Sequence, residues 1–216
     1  MPDIRILLAD DHRLFRFGLK QLLDQRAGLT VVGEARNGFE AAELAATLKP
    51  DVILMDVSMP ELNGLEATRR ILEANPSAKV VILSMHSDRR YVTEALKSGA
   101  RGYLLKDSTP EELLKSVSRV MAGQYYLSAG VNQQLIADFI GLPDPEAQTP
   151  FNQLSARERE VLQLLAEGAS TRQIADRLNL SGKTVESHRL HLMEKLDLHS
   201  VAELTKYAIR EGLVEL

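Results

Sequence analysis

The stretch Val52-Ile-Leu-Met-Asp-Val-Ser-Met-Pro60 places an aspartate, Asp56, directly after four apolar residues. Near the N-terminus, Ile4-Arg-Ile-Leu-Leu-Ala-Asp-Asp-His12 repeats the pattern and ends its apolar run in Asp10 and Asp11. Such short runs are typical of buried strands, where an ionised carboxylate is costly because it must be desolvated. The sequence therefore predicts that both strands carry their acids to an edge of the sheet that water can reach.

Short apolar runs alternate with amphipathic stretches through residues 1–122. The five runs are rich in Val, Ile and Leu and too short for helices: IRILLA, LTVVGEA, DVILMD, AKVVILS and ARGYLL. The stretches between them have helical periodicity. This alternation predicts a flavodoxin-like (βα)5 domain of the α/β class, with a parallel sheet in the order 2-1-3-4-5 and helices on both faces.

The rest of the chain changes character twice. Residues 123–150 include GLPDPEAQTP, whose three prolines disfavour helix and central strand, so this segment is predicted to be an interdomain linker. Residues 151–216 have helical periodicity throughout. Serines in capping positions mark four helix starts, at Ser155, Ser170, Ser181 and Ser200. We expect a compact all-α domain of four helices.

Composition restricts the classes of protein that fit. The 216 residues are 44% hydrophobic and 26% charged, with no cysteine and only short apolar runs. We expect a cytoplasmic protein without disulfides, thiolate metal sites or a membrane partner. The net charge is −4, of which −3 lies before residue 151 and −1 beyond it. Nucleic-acid binding must therefore be argued from local features.

Polar residues stand at the carboxyl ends of four predicted strands. Asp10 and Asp11 end the first strand, Asp56 ends the third, Ser84 follows the fourth and Lys106 follows the fifth. Ligands of open α/β sheets bind outside these strand ends. Because three carboxylates repel one another, we expect a hard divalent cation between them, and Mg²⁺ suits a carboxylate site that keeps several waters.

Lys106 and Ser84 would add a positive charge and a hydroxyl donor above the acids. A metal, a cation and a hydroxyl around one carboxylate can stabilise a transferring phosphoryl group, which makes Asp56 a candidate nucleophile that forms an acyl phosphate. Each residue also has an ordinary interpretation, since an aspartate at a strand end usually shapes a turn and a lone lysine is usually solvated. The two N-terminal acids could simply cap the following helix. The complete set is much harder to explain by chance.

Four segments resemble the receiver domain of bacterial response regulators: LLADDH, VILMDVSMPELNGLEATRRI, VVILSMHSD and SGARGYLLKD. The resemblance covers about residues 3 to 122. It implies that Asp56 accepts a phosphoryl group from a sensor histidine kinase. It also implies that Asp11, Asp56 and the backbone carbonyl of Ser58 bind Mg²⁺, with Asp10 helping through water.

The same resemblance implies a conformational switch. Lys106 would contact the phosphoryl group, while Ser84 moves toward it and Tyr103 rotates inward behind Ser84. From the residues alone, an ordinary amphipathic surface aromatic is the better interpretation of Tyr103. The switch would act on the surface around the fourth helix and the fifth strand.

Two predicted helices, Gln173 to Leu178 and Thr184 to Leu196, have helix-turn-helix spacing. The apolar positions face a shared core, which leaves an outer stripe on the second helix: Lys183, Glu186, Ser187, Leu190 and Glu194. In such modules the N-terminal part of the second helix touches bases in the major groove. The pattern alone is a weak indication, because helix pairs with this spacing are common in proteins that do not bind DNA.

The segment LSAREREVLQLLAEGASTRQIADRLNLSGKTVESHRLHLMEKL closely resembles the LuxR-type helix-turn-helix domain. With a receiver in front, the chain resembles a NarL/FixJ-type response regulator. This implies a transcription regulator that dimerises through its last helix, about Val201 to Ile209, and binds double-stranded DNA as a homodimer. RNA polymerase is a candidate partner. The chain would not be an enzyme beyond Mg²⁺-dependent self-phosphorylation and dephosphorylation at Asp56.

The recognition helix departs from some relatives, which carry lysine at the positions of Glu186 and Leu190. Glu186 could accept from cytosine N4 or be solvated, and Leu190 could touch a thymine methyl. Phosphate contacts by Lys183, Thr184 and Arg189 are the firmer expectation.

Two other classes fit parts of the sequence. A Mg²⁺-dependent phosphohydrolase would share the acids and the lysine, but no insertion here could form a substrate-binding cap. A receiver whose helical domain binds protein rather than DNA is the second alternative.

Overall fold

The computed structural model of the chain describes residues 3–132 and 150–214. The chain forms two compact units, one α/β and one all-helical. Within the described ranges, every helix is too short or too polar to cross a membrane.

The first unit alternates strand and helix five times. Its first five strands are β1 Ile4–Ala9, β2 Leu29–Ala35, β3 Val52–Asp56, β4 Val80–Ser84 and β5 Gly102–Leu105. The helices that follow them are α1 Arg13–Asp24, α2 Gly38–Leu48, α3 Gly64–Ala74, α4 Arg89–Lys97 and α5 Pro110–Met121. The predicted (βα)5 architecture is confirmed.

The strands form one parallel sheet in the predicted order β2-β1-β3-β4-β5. Every residue of β3 and β4 is buried, which explains why these strands are continuously apolar. Ala9 pairs with Met55, and Asp56 pairs with Leu83. This register brings the carboxyl ends of β1, β3 and β4 to the same edge of the sheet.

The sheet has a sixth strand that the sequence analysis did not predict. Tyr126 and Leu127 form β6, which pairs parallel to β5, although the predicted linker begins at residue 123. A strand of two residues leaves no periodicity to detect, and the Tyr126 side chain is buried against the core. The first unit therefore continues past residue 122. Residues 133–149 of the predicted linker lie outside the described residues, and the domain bounds stay predictions.

The second unit contains the four expected helices. They are α6 Ala156–Ala166, α7 Thr171–Leu178, α8 Gly182–Leu196 and α9 Val201–Arg210, preceded by a 3-10 turn at Pro150–Gln153. The capping boxes at Ser155 and Ser170 are both formed, and Ser181 and Ser200 accept from backbone N–H groups of α8 and α9. Three residues join α7 to α8, and Asn179 ends α7 with a left-handed φ of 53°.

Gly64, at the start of α3, packs directly under the end of β3. A Cβ on Gly64 would lie 1.8 Å from the carbonyl oxygen of Asp56. The Gly64 N–H donates to the Val57 carbonyl at 2.9 Å, so the loop that follows Asp56 closes back onto its own strand. Only glycine fits this close approach.

We expect Gly64→Ala to lower the free energy of unfolding by roughly 2 to 4 kcal/mol, because a backbone segment must move to accept the methyl group. Gly18→Ala is the matched control, since a Cβ there meets nothing within 4 Å on an exposed part of α1. That change should raise the free energy of unfolding by about 0.5 to 1 kcal/mol. Urea unfolding measures both, and equal effects would contradict the prediction.

Candidate functional site

The carboxyl edge of the sheet gathers the predicted acids and the lysine. Ligand atoms of Asp10, Asp11, His12 and Asp56 all lie within 4.8 Å of one another. Lys106 Nζ lies 2.7 Å from Asp56 Oδ2 and 3.0 Å from Asp10 Oδ2. The ends of β1, β3 and β5 therefore meet at one charged cluster.

The burial of this cluster differs from the expectation. Asp56 is 2% exposed and Asp10 is 1% exposed, whereas the sequence analysis placed them at an edge that water can reach. Loops and α1 side chains cover the site, and the Phe15 ring centroid lies 5.0 Å from Lys106 Nζ. Asp11 and His12 are open to solvent, with side chains 36% and 62% exposed. The ion pair with Lys106, rather than water, makes the charge on Asp56 tolerable.

Burial also changes the proton affinity of the buried groups. The pKa of Asp56 is raised from 3.8 to about 7, because desolvation, the largest cause, and the charge of Asp10 together outweigh the opposing effect of Lys106. For Lys106, burial disfavours the ammonium form, but the carboxylates of Asp56 and Asp10 outweigh it and the pKa is raised. Lys106 is therefore charged, while Asp56 titrates near neutral pH when no cation is bound.

The donor set fits a hard divalent cation. Asp10 Oδ1 accepts from the His12 N–H at 2.8 Å, but within the described residues the buried Asp10 Oδ2 has no hydrogen-bond donor. Its contact with Lys106 at 3.0 Å is an ion pair without hydrogen-bond geometry. A buried carboxylate oxygen without a donor beside two further carboxylates is what a cation with oxygen ligands would occupy. Ser58 lies close, with its N–H donating to Asp56 Oδ1 at 3.4 Å.

The predicted switch residues, Ser84 and Tyr103, are both buried in the core. The Tyr103 hydroxyl donates to the His86 carbonyl at 2.7 Å, and Ser84 Oγ accepts from the His86 N–H at 3.0 Å. Burial raises the pKa of Tyr103, so the phenol stays neutral. The interpretation of Tyr103 as a surface aromatic is wrong, since its ring already lies inward.

Arg16 and Glu34 also lie at this site, although neither was predicted from the sequence. Arg16 is 7% exposed, and its guanidinium donates to the Asp10 carbonyl and, from Nε, to Glu34 Oε2 at 3.1 Å. The available signal was a charged residue among the apolar positions of α1. It was not distinctive, because a long side chain on an amphipathic helix commonly extends to solvent.

In the second unit, the predicted outer stripe of α8 is largely exposed. Lys183 and Ser187 are exposed, and the apolar Leu190 is 56% exposed. Glu186 is different, because Thr171 Oγ1 donates to its Oε1 at 2.7 Å and Arg189 Nη2 lies 2.7 Å from its Oε2. Both oxygens of Glu186 thus have partners within the unit.

The raised pKa of Asp56 predicts a pH-dependent stability difference in buffer without divalent cations. Because the folded protein holds this proton more tightly, the contribution of Asp56 to stability is present near pH 4 and lost as the pH rises through about 7. Asp56→Asn removes the buried charge. We expect it to exceed the wild type in free energy of unfolding by roughly 1 to 2 kcal/mol above neutral pH.

Urea unfolding near pH 5 and near pH 8 measures this difference. Asp51→Asn is the control, since Asp51 precedes the same strand at its opposite end and its amide replacement can still accept from the Arg5 N–H. A wild type as stable as Asp56→Asn near pH 8 would contradict the prediction.

Two protein families match the chain. The response regulator receiver domain matches residues 6–118, and the family described as bacterial regulatory proteins, luxR family, matches residues 152–208. The response regulator UvrY of Escherichia coli K12 is 39% identical over 97% of this chain and 95% of its own. The oxygen regulatory protein NreC of Staphylococcus haemolyticus is 39% identical over 98% of this chain and 100% of its own.

Solved structures agree with these relatives. The RcsB–DNA complex, a two-component response regulator, is 27% identical and covers 95% of this chain and 97% of its own, with a TM-score of 0.59. The matches include both units, in the order in which the fold presents them. The chain therefore belongs to the NarL/FixJ-type response regulators, which join a receiver domain to a LuxR-type helix-turn-helix domain.

Proposed function

We propose that a sensor histidine kinase phosphorylates Asp56 and that the phosphorylated protein binds DNA as a homodimer to regulate transcription. The observation that carries this proposal is the buried Asp56–Lys106 pair, set among Asp10 and Asp11, in a chain that also has a LuxR-type helix-turn-helix domain. A protein that binds DNA inside a bacterial cell would be located in the cytoplasm. Because it would regulate transcription, RNA polymerase is a further proposed partner.

The groups around Asp56 suit acceptance of a phosphoryl group. In this step a carboxylate oxygen of Asp56 forms the new P–O bond while the P–N bond to the histidine of the donor breaks. Mg²⁺, when bound, would neutralise charge on the transferring group. Asp11, Asp56 and the Ser58 carbonyl would hold it, with Asp10 helping through water. Lys106 already lies 2.7 Å from Asp56 Oδ2 and would pair with a phosphoryl oxygen.

The signal would leave this site through Ser84 and Tyr103. Phosphorylation adds about −1.5 to −2 charges and three acceptor oxygens, toward which the Ser84 hydroxyl can donate. The His86 backbone contacts both switch side chains, and the His86 ring stacks on Tyr91 of α4 at 4.2 Å. A shift of Ser84 would therefore move the start of α4.

The exposed and half-buried residues of α8 support specific roles on DNA. Lys183, Thr184 and Arg189 would contact phosphates, while Ser187 and Leu190 would meet base edges. Glu186 would orient Arg189 and Thr171 rather than read cytosine, since both its oxygens are occupied.

Dimerisation would use α9. Leu204, Tyr207 and Ala208 face the core of the second unit. The first turn of α9 leaves a small apolar face exposed to solvent, formed by Val201, which is 39% exposed, and Ala202. Two such faces would form a self-complementary contact between copies.

The phosphorylation step is tested by DNA binding with and without acetyl phosphate. We expect the donor to increase the affinity of the wild type for its selected DNA and to leave Asp56→Asn unchanged, because the amide cannot form the acyl phosphate. Asp51→Asn should respond as the wild type does. Fluorescence anisotropy gives the affinities, and an equal response of Asp56→Asn to the donor would show that another residue accepts the phosphate.

The sequence preference of each variant distinguishes residues that contact bases from residues that contact phosphates. We expect Leu190→Ala to relax preference at one base position, with about 1 kcal/mol of discrimination lost. Lys183→Ala should weaken binding to all sequences and lower the salt dependence by about one ion. Glu186→Ala should resemble Lys183→Ala, because it releases a phosphate-contacting arginine.

Selection of bound DNA from random sequence, repeated for each variant, measures these preferences. A change confined to one base position in Glu186→Ala would show that Glu186 reads a base. Wild-type protein that retains no DNA even at low salt would favour the alternative in which the helical domain binds protein.

A further inference from the structure

We propose that Arg16 is a positioning residue of the acidic site, which fixes the turn at Asp10 and Asp11 in the geometry that a divalent cation requires. The inference rests on the proposed function, because it concerns the same site. It assigns to Arg16 an action through the backbone of Asp10, without contact with the reacting atoms.

The guanidinium of Arg16 joins the ends of two strands. From α1, Nη1 donates to the carbonyl of Asp10 at the end of β1, and Nε donates to Glu34 Oε2 near the end of β2 at 3.1 Å. The residue is 7% exposed, although arginine is rarely buried without a specific partner. A planar fork can hold two acceptors at fixed angles, which a lysine ammonium does less well.

The Asp10 carbonyl needs this donor because α1 begins too late to supply one. The first hydrogen bond of the helix runs from the Arg16 N–H to the His12 carbonyl at 3.0 Å, and the His12 side chain makes no capping bond. The Asp10 N–H is already bonded to the Ala35 carbonyl at 3.1 Å. A buried carbonyl left without a donor would cost about 1 to 3 kcal/mol. Arg16 therefore determines the orientation of the peptide between Asp10 and Asp11.

That peptide carries the acids of the site. Asp10 and Asp11 place carboxylate oxygens within 4.8 Å of Asp56, and the buried Asp10 Oδ2 lies 3.0 Å from Lys106 Nζ, an ammonium that it shares with Asp56. Mg²⁺ requires near-octahedral ligands at about 2.0 to 2.1 Å, so a small rotation of this turn should change its affinity. Outer partners of metal ligands typically contribute about 10- to 100-fold in affinity.

A simpler alternative is that Arg16 acts only through its positive charge. Lys20 separates the two possibilities, because its Nζ lies 3.0 Å from the other oxygen of Glu34. It thus adds the same charge to the same carboxylate from one turn further along α1. Removing it should reproduce any effect of charge alone, and it is 38% exposed, so its loss should not disturb the core.

The test compares three variants of the full chain, Arg16→Lys, Arg16→Met and Lys20→Met, with the wild type. Titration with MgCl₂, followed by NMR shifts of the Val57 and Ser58 amides, gives the dissociation constant of each folded protein. We expect both Arg16 variants to bind Mg²⁺ about tenfold more weakly, and Lys20→Met to differ from the wild type by less than about twofold. Urea unfolding of each variant without Mg²⁺ measures stability separately.

A second readout distinguishes positioning from damage to the fold. Phosphorylation by acetyl phosphate should need about tenfold more Mg²⁺ for its half-maximal rate in Arg16→Lys, and excess Mg²⁺ should restore the maximal rate. Because Mg²⁺ would also refold a partly unfolded variant by binding its native state, the comparison is restricted to variants that urea unfolding shows to be fully folded without Mg²⁺.

Several results would overturn the inference. Arg16→Lys with wild-type affinity for Mg²⁺ would show that charge suffices, and equal weakening by Lys20→Met would show the same. If excess Mg²⁺ did not restore the maximal rate, Arg16 would contribute only to the stability of the fold. If the wild type bound no Mg²⁺ and accepted no phosphate, both the proposed function and this inference would fail. If the wild type bound Mg²⁺ and accepted phosphate, and the Arg16 variants had the same affinity for Mg²⁺, only this inference would be overturned.

Discussion

The ion pair between Lys106 and Asp56 is the constraint around which the first unit is organised. Its atoms lie 2.7 Å apart and join β5 to β3 across the buried strand β4, with Asp10 of β1 at 3.0 Å from the same ammonium. A buried pair of this kind contributes little net stability, because desolvation offsets the Coulomb attraction. The electrostatic energy is less favourable still when two carboxylates, Asp56 and Asp10, share one ammonium. The fold therefore maintains an excess of negative charge that a proton or a bound cation can relieve.

The same cluster is mechanically connected to the surface through one residue. His86 donates its N–H to Ser84 and accepts from the Tyr103 hydroxyl through its carbonyl, while its ring stacks on Tyr91 with an angle of 7° between the planes. Ser84 ends a fully buried strand and Tyr103 has no solvent exposure, so neither can shift without moving this backbone. If phosphorylation changes the hydrogen bonding at Ser84, as we propose, these existing contacts would pass the change to α4.

The sequence was most informative where one physical period dominates. Continuous apolar runs predicted the buried strands, whose order was expected from the flavodoxin-like fold, and capping serines predicted the helix starts of the second unit. Two features escaped this reasoning for different reasons. The strand of Tyr126 and Leu127 is too short to show an alternating pattern of apolar residues. Its pairing depends on β5, from which it is separated in the sequence by the helix α5. The burial of Asp56 depends on loop closure over the strand ends, which Gly64 permits and which no local pattern reports.

Side-chain pairing also changes how the charge of the second unit should be understood. By sequence, residues 151–216 carry a net charge of −1, which is unfavourable for binding a polyanion. The acid nearest the start of α8, Glu186, is however held by Arg189 and Thr171, while Lys183 is exposed at the N-terminal end of the helix. The helix N-terminus adds its own partial positive charge there. Because the Debye length is about 8 Å at physiological salt, a phosphate at this end experiences these local groups far more than distant acids. The electrostatics of the recognition helix are therefore decided within its first two turns, and the net charge of the domain is a poor guide to whether it binds DNA.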